Sequence, residues 1–157
     1  MALFRMAENF LSPVKLEIEC PRSFYARQGS IEGHIRLTSQ GAYQIDEVVM
    51  VMIERSQVSG EREEEAVVGK ASVCSRPFTI DANEVKILEF SLSFRLAEYG
   101  WDSVINEGGV LGLLGKVVDH FDDGNDDVSR SYDLVAAAEV RGSKFDPKVV
   151  KGIIRSE

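Results

Sequence analysis

Residues 86–96, KILEFSLSFRL, place Leu88, Phe90, Leu92, Phe94 and Leu96 at every second position, with Glu89, Ser91, Ser93 and Arg95 between them. Side chains of a strand point alternately to its two faces, so this segment reads as one strand with a buried face and a solvated one. A face of that kind has to be covered by a second layer. The alternation predicts that Leu88, Phe90, Leu92 and Phe94 are among the most buried residues of the domain.

The same period recurs along the chain. Leu16, Ile18 and Cys20 share one parity before Pro21, and Ile31, Gly33, Ile35 and Leu37 share another after the turn at Arg27-Gln28-Gly29-Ser30. The run VVMVMI within residues 45–55 does not alternate, which predicts a central strand buried on both faces. Residues 59–65, SGEREEE, read as a charged hairpin tip. Residues 66–73 and 76–80 offer further strands, and Tyr132, Leu134, Ala136, Ala138 and Val140 alternate once more. Seven or eight short strands with turn signals between them predict an all-β, antiparallel immunoglobulin-like sandwich over residues 14–157. Before it, residues 1–13 carry Leu3, Ala7, Phe10 and Leu11 at helical spacing, a short amphipathic segment ended by Pro13.

Between the strand ending at Leu96 and the one beginning near Arg130 lies an insertion of about residues 97–129, far longer than a hairpin needs. Its apolar part, GGVLGLLGKVV, would make a short helix only with tertiary support, since Gly112 and Gly115 each cost about 1 kcal/mol relative to alanine. Val110, Leu111, Leu113, Leu114 and Val117 are too many apolar side chains for a freely solvated loop. They pack on this domain, on a second copy or on a partner. The strands already supply a core, and these five residues are therefore the candidate partner-binding site.

The motifs that invite chemistry fail on their own terms. A Walker loop ending at Gly115-Lys116 would need glycine where Val110 stands and a hydroxyl where Val117 stands. A calcium loop begun at Asp123 would place Val128 at the obligatory glycine and Leu134 at the closing glutamate. His34 and His120 are the only histidines and have no metal-ligand spacing to a cysteine or to each other. No GxSxG elbow exists. The expectation is a protein without enzymatic activity and without a cofactor. Cys20 and Cys74 form no CxxC motif and read as small buried hydrophobes, with a pairing between them left open.

A net charge of −8 without any basic run argues against nucleic acid as a partner. No stretch is long and apolar enough to span a bilayer, and the first residues lack a signal-peptide core, so a cytoplasmic setting is expected.

Three stretches together resemble a known family. They are QGSIEGHIRL (28–37) with the apolar strand after Ile45-Asp46-Glu47-Val48, PFTI (77–80) leading into the Phe90 strand, and SYDLVA (131–136) closed by Phe145-Asp146-Pro147. This order resembles the arrestin-like N-terminal domain, particularly that of bacterial sporulation-control proteins. The resemblance implies a non-enzymatic adaptor or regulator that acts by binding another protein. Two departures accompany it: the chain has length for one such domain where arrestin-like proteins commonly have two, and the long insertion replaces a shorter link. Arg22 and Arg27 form no basic cluster, so phosphate recognition does not carry over. A different class of reading is a small-molecule or carbohydrate-binding module, with Tyr99 and Trp101 suited to stacking on a sugar. Self-association through an edge strand or the apolar insertion is also expected, because a one-domain sandwich has edges to protect.

Overall fold

The computed structural model describes residues 12–58, 60, 62–96 and 128–156. The strands among them are β1 (Val14–Glu19), β2 (Ser23–Phe24), β3 (Ser30–Ser39), β4 (Tyr43–Val58), β5 (Glu64–Cys74), β6 (Phe78–Ile80), β7 (Val85–Ser93), β8 (Val128–Val140) and β9 (Lys148–Arg155). They form two sheets. The smaller has the order β1-β3-β7, and the larger β2-β9-β8-β4-β5, with β6 paired to the start of β4. All pairings are antiparallel except the two-residue contact of β2 with β9. This is the antiparallel β-sandwich that the strand pattern implied.

Alternation places the core. Leu16 and Ile18 of β1, Ile35 and Leu37 of β3, and Phe90 and Leu92 of β7 turn inward from the smaller sheet. Val48, Met50 and Met52 of β4, and Leu134, Ala136 and Ala138 of β8, meet them from the larger one. Removing a side chain such as Leu92 from water contributes about 1.5–3 kcal/mol. Phe90, Leu92, Phe94 and Leu96 are buried as expected, but Leu88 is only half-buried. The reason is position. β7 is the outer strand of its sheet, and the bridge from β5 reaches it at Phe94, through Gly69, rather than at Leu88.

That bridge closes one side of the sandwich. Arg95 N donates to Val68 O at 2.9 Å, and a Cβ on Gly69 would lie 2.6 Å from Ser93 O, so the strands can approach only because residue 69 has no side chain. On the opposite side, Lys151 of β9 points into the sandwich, and its Nζ donates to Ile18 O and Cys20 O at 3.3 Å each. A buried-pointing lysine on edge carbonyls is one way in which a sheet edge is kept from pairing with another chain. The turn read at residues 27–30 is a 3-10 turn, Ala26–Gln28, ended by Gly29 with φ at 70°.

Three expectations change. Residues 48–53 were expected to be buried on both faces, yet only Val48, Met50 and Met52 are, while Val49, Val51 and Ile53 are half-buried. The second layer covers one side of β4 and leaves the other outward. Second, β8 begins at Val128, opposite Val58, so residues 128–129 belong to a strand and not to the insertion. Third, β9 and the short β2 carry no alternating signal: Lys151 and Gly152 interrupt β9, and two residues are too few to show a period. Residues 1–11, most of the expected amphipathic segment, lie outside the described residues.

Candidate protein-docking face

The residues predicted to bind a partner, Val110, Leu111, Leu113, Leu114 and Val117, lie outside the described residues, as do Tyr99, Trp101 and the acidic stretch 122–127. What the described residues show is a second apolar surface. In β4 the inward side chains Val48, Met50 and Met52 alternate with outward Val49, Val51 and Ile53. Directly paired residues of neighbouring strands share a face. Val49 stands opposite Ala137 and Val51 opposite Val135 on β8, Val135 stands opposite Val150 on β9, and Ile53 opposite Val67 on β5. The outer face of the larger sheet therefore has an apolar centre four strands wide.

With strands about 4.8 Å apart and a rise of about 3.4 Å per residue, this centre measures roughly 14 Å by 14 Å. Val135, on the outward parity of β8, is 8% exposed. Farther along β9 the same face carries Ile154, which is 68% exposed. The outer face of the smaller sheet is more polar: Glu17, Glu32, His34, Arg36 and Thr38 occupy the matching outward positions, with Val85 and Ile87 of β7 as its exposed apolar residues. A solvated sheet face is normally polar, as the smaller sheet's is. The larger sheet departs from that pattern at its centre, where the outward Val49, Val51, Ile53 and Val150 are apolar and half-buried.

Charge frames the centre. At one end Arg55 pairs with Asp133 across β4 and β8, with Glu65 on β5 at 2.9 Å, and with Glu63 at 3.8 Å. These are partly exposed pairs, worth little singly but fixed here by the cross-strand register. At the other end Arg141 pairs with Asp46 at 3.2 Å. A groove of about 420 Å³ opens there between Val49, Ala137, Phe145 and Pro147, with Glu47 and Glu139 on its wall. Lys70 and Lys148 stand beside Val51 and Ala137 at the lateral margins.

Inside the sandwich a polar group sits at the same end as Arg55. Glu54 is buried, and the cross-strand register puts Tyr132 opposite it. Phe24 meets Tyr132 and Phe94 edge-on, with ring centroids 5.2 and 5.3 Å apart. Arg155 Nη1 donates to the Tyr132 hydroxyl at 3.4 Å. Burial, with the Glu54 carboxylate adding to it, pushes the phenol up to about 12. A phenol so far from ionisation at neutral pH is a structural donor and not a base. Cys20 and Cys74 are half-buried free thiols, and burial pushes Cys20 up in spite of Lys151 beside it. Among the described residues no group of His, Cys, Asp and Glu side chains is placed to share a metal ion, and no helix is long and apolar enough to cross a membrane.

The outer face was not foreseen from the sequence, though its signal was present. VVMVMI departs from strict alternation because both of its parities are apolar, and the odd one turned out to face outward.

No protein-family profile matches the chain, and no curated protein matches it in sequence. Its structure is similar to that of Spo0M, the sporulation control protein from Bacillus subtilis. The TM-score is 0.59 and the identity 16%, over 93% of this chain and 50% of the other. At that identity the likeness shows the fold. The chain spans about half the length of the protein it matches.

Proposed function

We propose that this chain is a non-enzymatic, cytoplasmic protein-binding adaptor or regulator of the arrestin-like, sporulation-control type. Its partner-binding residues are Val110, Leu111, Leu113, Leu114 and Val117. One observation supports the reading: among the described residues, inward side chains from both sheets already form one contiguous core, many of them fully buried. An apolar run outside those strands is a candidate for an interface. The likeness to a sporulation control protein supports the regulatory part. No cofactor enters the proposal.

The test uses the purified chain as bait for chemical cross-linking in extract of its source cells. The double variant Leu111→Ser/Leu114→Ser is expected to keep its cooperative unfolding transition and to lose the proteins that the wild type captures. If the folded double variant captures the same proteins, the run is not the partner site. If it no longer unfolds cooperatively, the run belongs to the core.

A further inference from the structure

We infer that the free edge of β7 is a homodimer interface, on which β7 of a second copy pairs antiparallel about a two-fold axis at Leu88. The inference is independent of the partner-binding reading, because none of its residues belongs to the apolar run. β3 and β7 pair in one unbroken register from Ser30↔Ser93 to Thr38↔Val85. Phe94 N donates to Gly29 O on the β3 side at 3.0 Å, and Arg95 N donates to Val68 O on the β5 side at 2.9 Å. Backbone groups of successive strand residues point to opposite edges. Those of Ser91, Glu89, Ile87 and Val85, which share the parity of Arg95, therefore point away from β3. β5 meets this edge at the Gly69–Phe94 bridge, and among the described residues no strand pairs with the rest of it.

An exposed row of strand donors and acceptors is a template for another strand. The edge of β1 is occupied by Lys151, whose Nζ donates to Ile18 O and Cys20 O. Among the described residues β7 has no such clamp, and it has neither a proline nor a bulge. Lys86, the only charge on its inward parity, sits near its end, 3.8 Å from Glu84 and over the Phe78 ring. Beyond the bridge, Leu88 on β7 and Ala71 and Val73 on β5 are half-buried at the rim of the core. An occupant of this edge has to bring an extended backbone and an apolar inward side chain, and β7 itself brings both. Symmetry then fixes the register. A two-fold axis perpendicular to the sheet pairs only residues of the same face, so it passes at a residue. At Glu89 it would set like charges directly opposite. At Phe90 it would run onto Ser93 and Arg95, which face the bridge from β5. At Ile87 it would leave Ser91 opposite Asn83, whose φ of 62° is not that of a strand. At Leu88 it pairs Val85 with Ser91 and Ile87 with Glu89, twice over, for about eight backbone hydrogen bonds. It also sets the two Leu88 side chains against each other on the inward face, which completes the burial that each lacks within one chain. Both copies use the same groups at once, as an isologous interface requires.

The test reads self-association of the full chain by sedimentation velocity and uses no partner. The wild type is expected to dimerise at micromolar concentration. Ile87→Pro removes an N–H that β3 does not use, so its melt should stay cooperative, while the ring blocks the incoming strand. Its dissociation constant is expected to rise at least about tenfold. A wild type that stays monomeric at high micromolar concentration overturns the proposal and leaves the edge to a strand of another protein. A folded Ile87→Pro that dimerises like the wild type overturns it as well. Should Ile87→Pro fail to fold, cysteines decide. In the full chain with Cys20→Ala and Cys74→Ala, Leu88→Cys is expected to form a disulfide-linked dimer under mild oxidation, because directly opposed residues of a non-hydrogen-bonded pair come within reach of a disulfide. Val85→Cys, about 20 Å from its twin, is expected to stay unlinked. Equal cross-linking at the two positions, or none at position 88, refutes the pairing.

Discussion

Gly33 is where the sandwich should be least forgiving of one added methyl group. It lies in β3 opposite Phe90. A Cβ there would stand 2.4 Å from Glu19 O, 2.9 Å from Cys20 Cβ and 3.0 Å from Phe90 Cε2. The Phe90 ring tip can move, but Glu19 O belongs to backbone held in register by the pairing of β1 with β3. Overpacking costs about 1–3 kcal/mol, and displacing backbone puts Gly33→Ala at the upper end, about 3 kcal/mol. Alanine also restricts the unfolded chain. Gly33 does not have positive φ, so that effect returns about 0.4–1 kcal/mol. The net expectation is a loss of about 2 kcal/mol, which for a domain of this size lowers Tm by about 4–8 °C. Gly152→Ala supplies the contrast. Its nearest neighbour would be Asp133 Oδ1 at 3.6 Å, an ordinary contact, so only the unfolded-state gain of about 0.4–1 kcal/mol remains. Thermal melts followed by near-UV circular dichroism compare the two variants. If Gly33→Ala melts as high as Gly152→Ala, the close approach of β1 to β3 is not as described.

Phe90→Ala should cost about 3–5 kcal/mol in urea denaturation, the usual range for a large buried ring; a loss below about 1 kcal/mol would mean that the ring is not core. Lys151→Met removes the donor from Ile18 O and Cys20 O and should cost about 1–3 kcal/mol. It should also raise light scattering on storage as the β1 edge opens, and a variant as stable and as monodisperse as the wild type would exclude the clamp. The Tyr132 phenol is raised from 10.0 to about 12 in the folded protein. Between those values the unfolded chain has released its proton and the folded one has not. Stability is thus whole below pH 10 and declines toward pH 12 by about 2–3 kcal/mol. Tyr132→Phe should show a shallower decline than the wild type in denaturation midpoints across that interval, and parallel curves would contradict the burial.

Period alone was enough to define the sandwich class. Leu16 and Ile18, Ile35 and Leu37, and Phe90 and Leu92 each alternate with polar neighbours, and an L-peptide strand has no other way to divide them than between two faces. The missing chemistry was legible too, since a Walker or calcium loop needs specific residues at specific spacings and this chain has valine or leucine there. What period could not fix is what covers each face. VVMVMI is apolar at both parities, and only the pairing of β4 with β8 and β5 shows that Met50 and Met52 meet the other sheet while Val49 and Val51 face away. Likewise Lys151 breaks the pattern of β9 locally, because its ammonium serves the carbonyls of Ile18, in β1, and Cys20, just past its end, 133 and 131 residues from it along the chain. Gly33 and Gly69 look alike in sequence to any other strand glycine, and the need for them arises only where a second strand crosses within 3 Å. Alternation is a property of one strand and can be read from neighbours in sequence. Coverage, edge protection and close approach belong to pairs of strands far apart in the chain, and only the tertiary structure brings those pairs together.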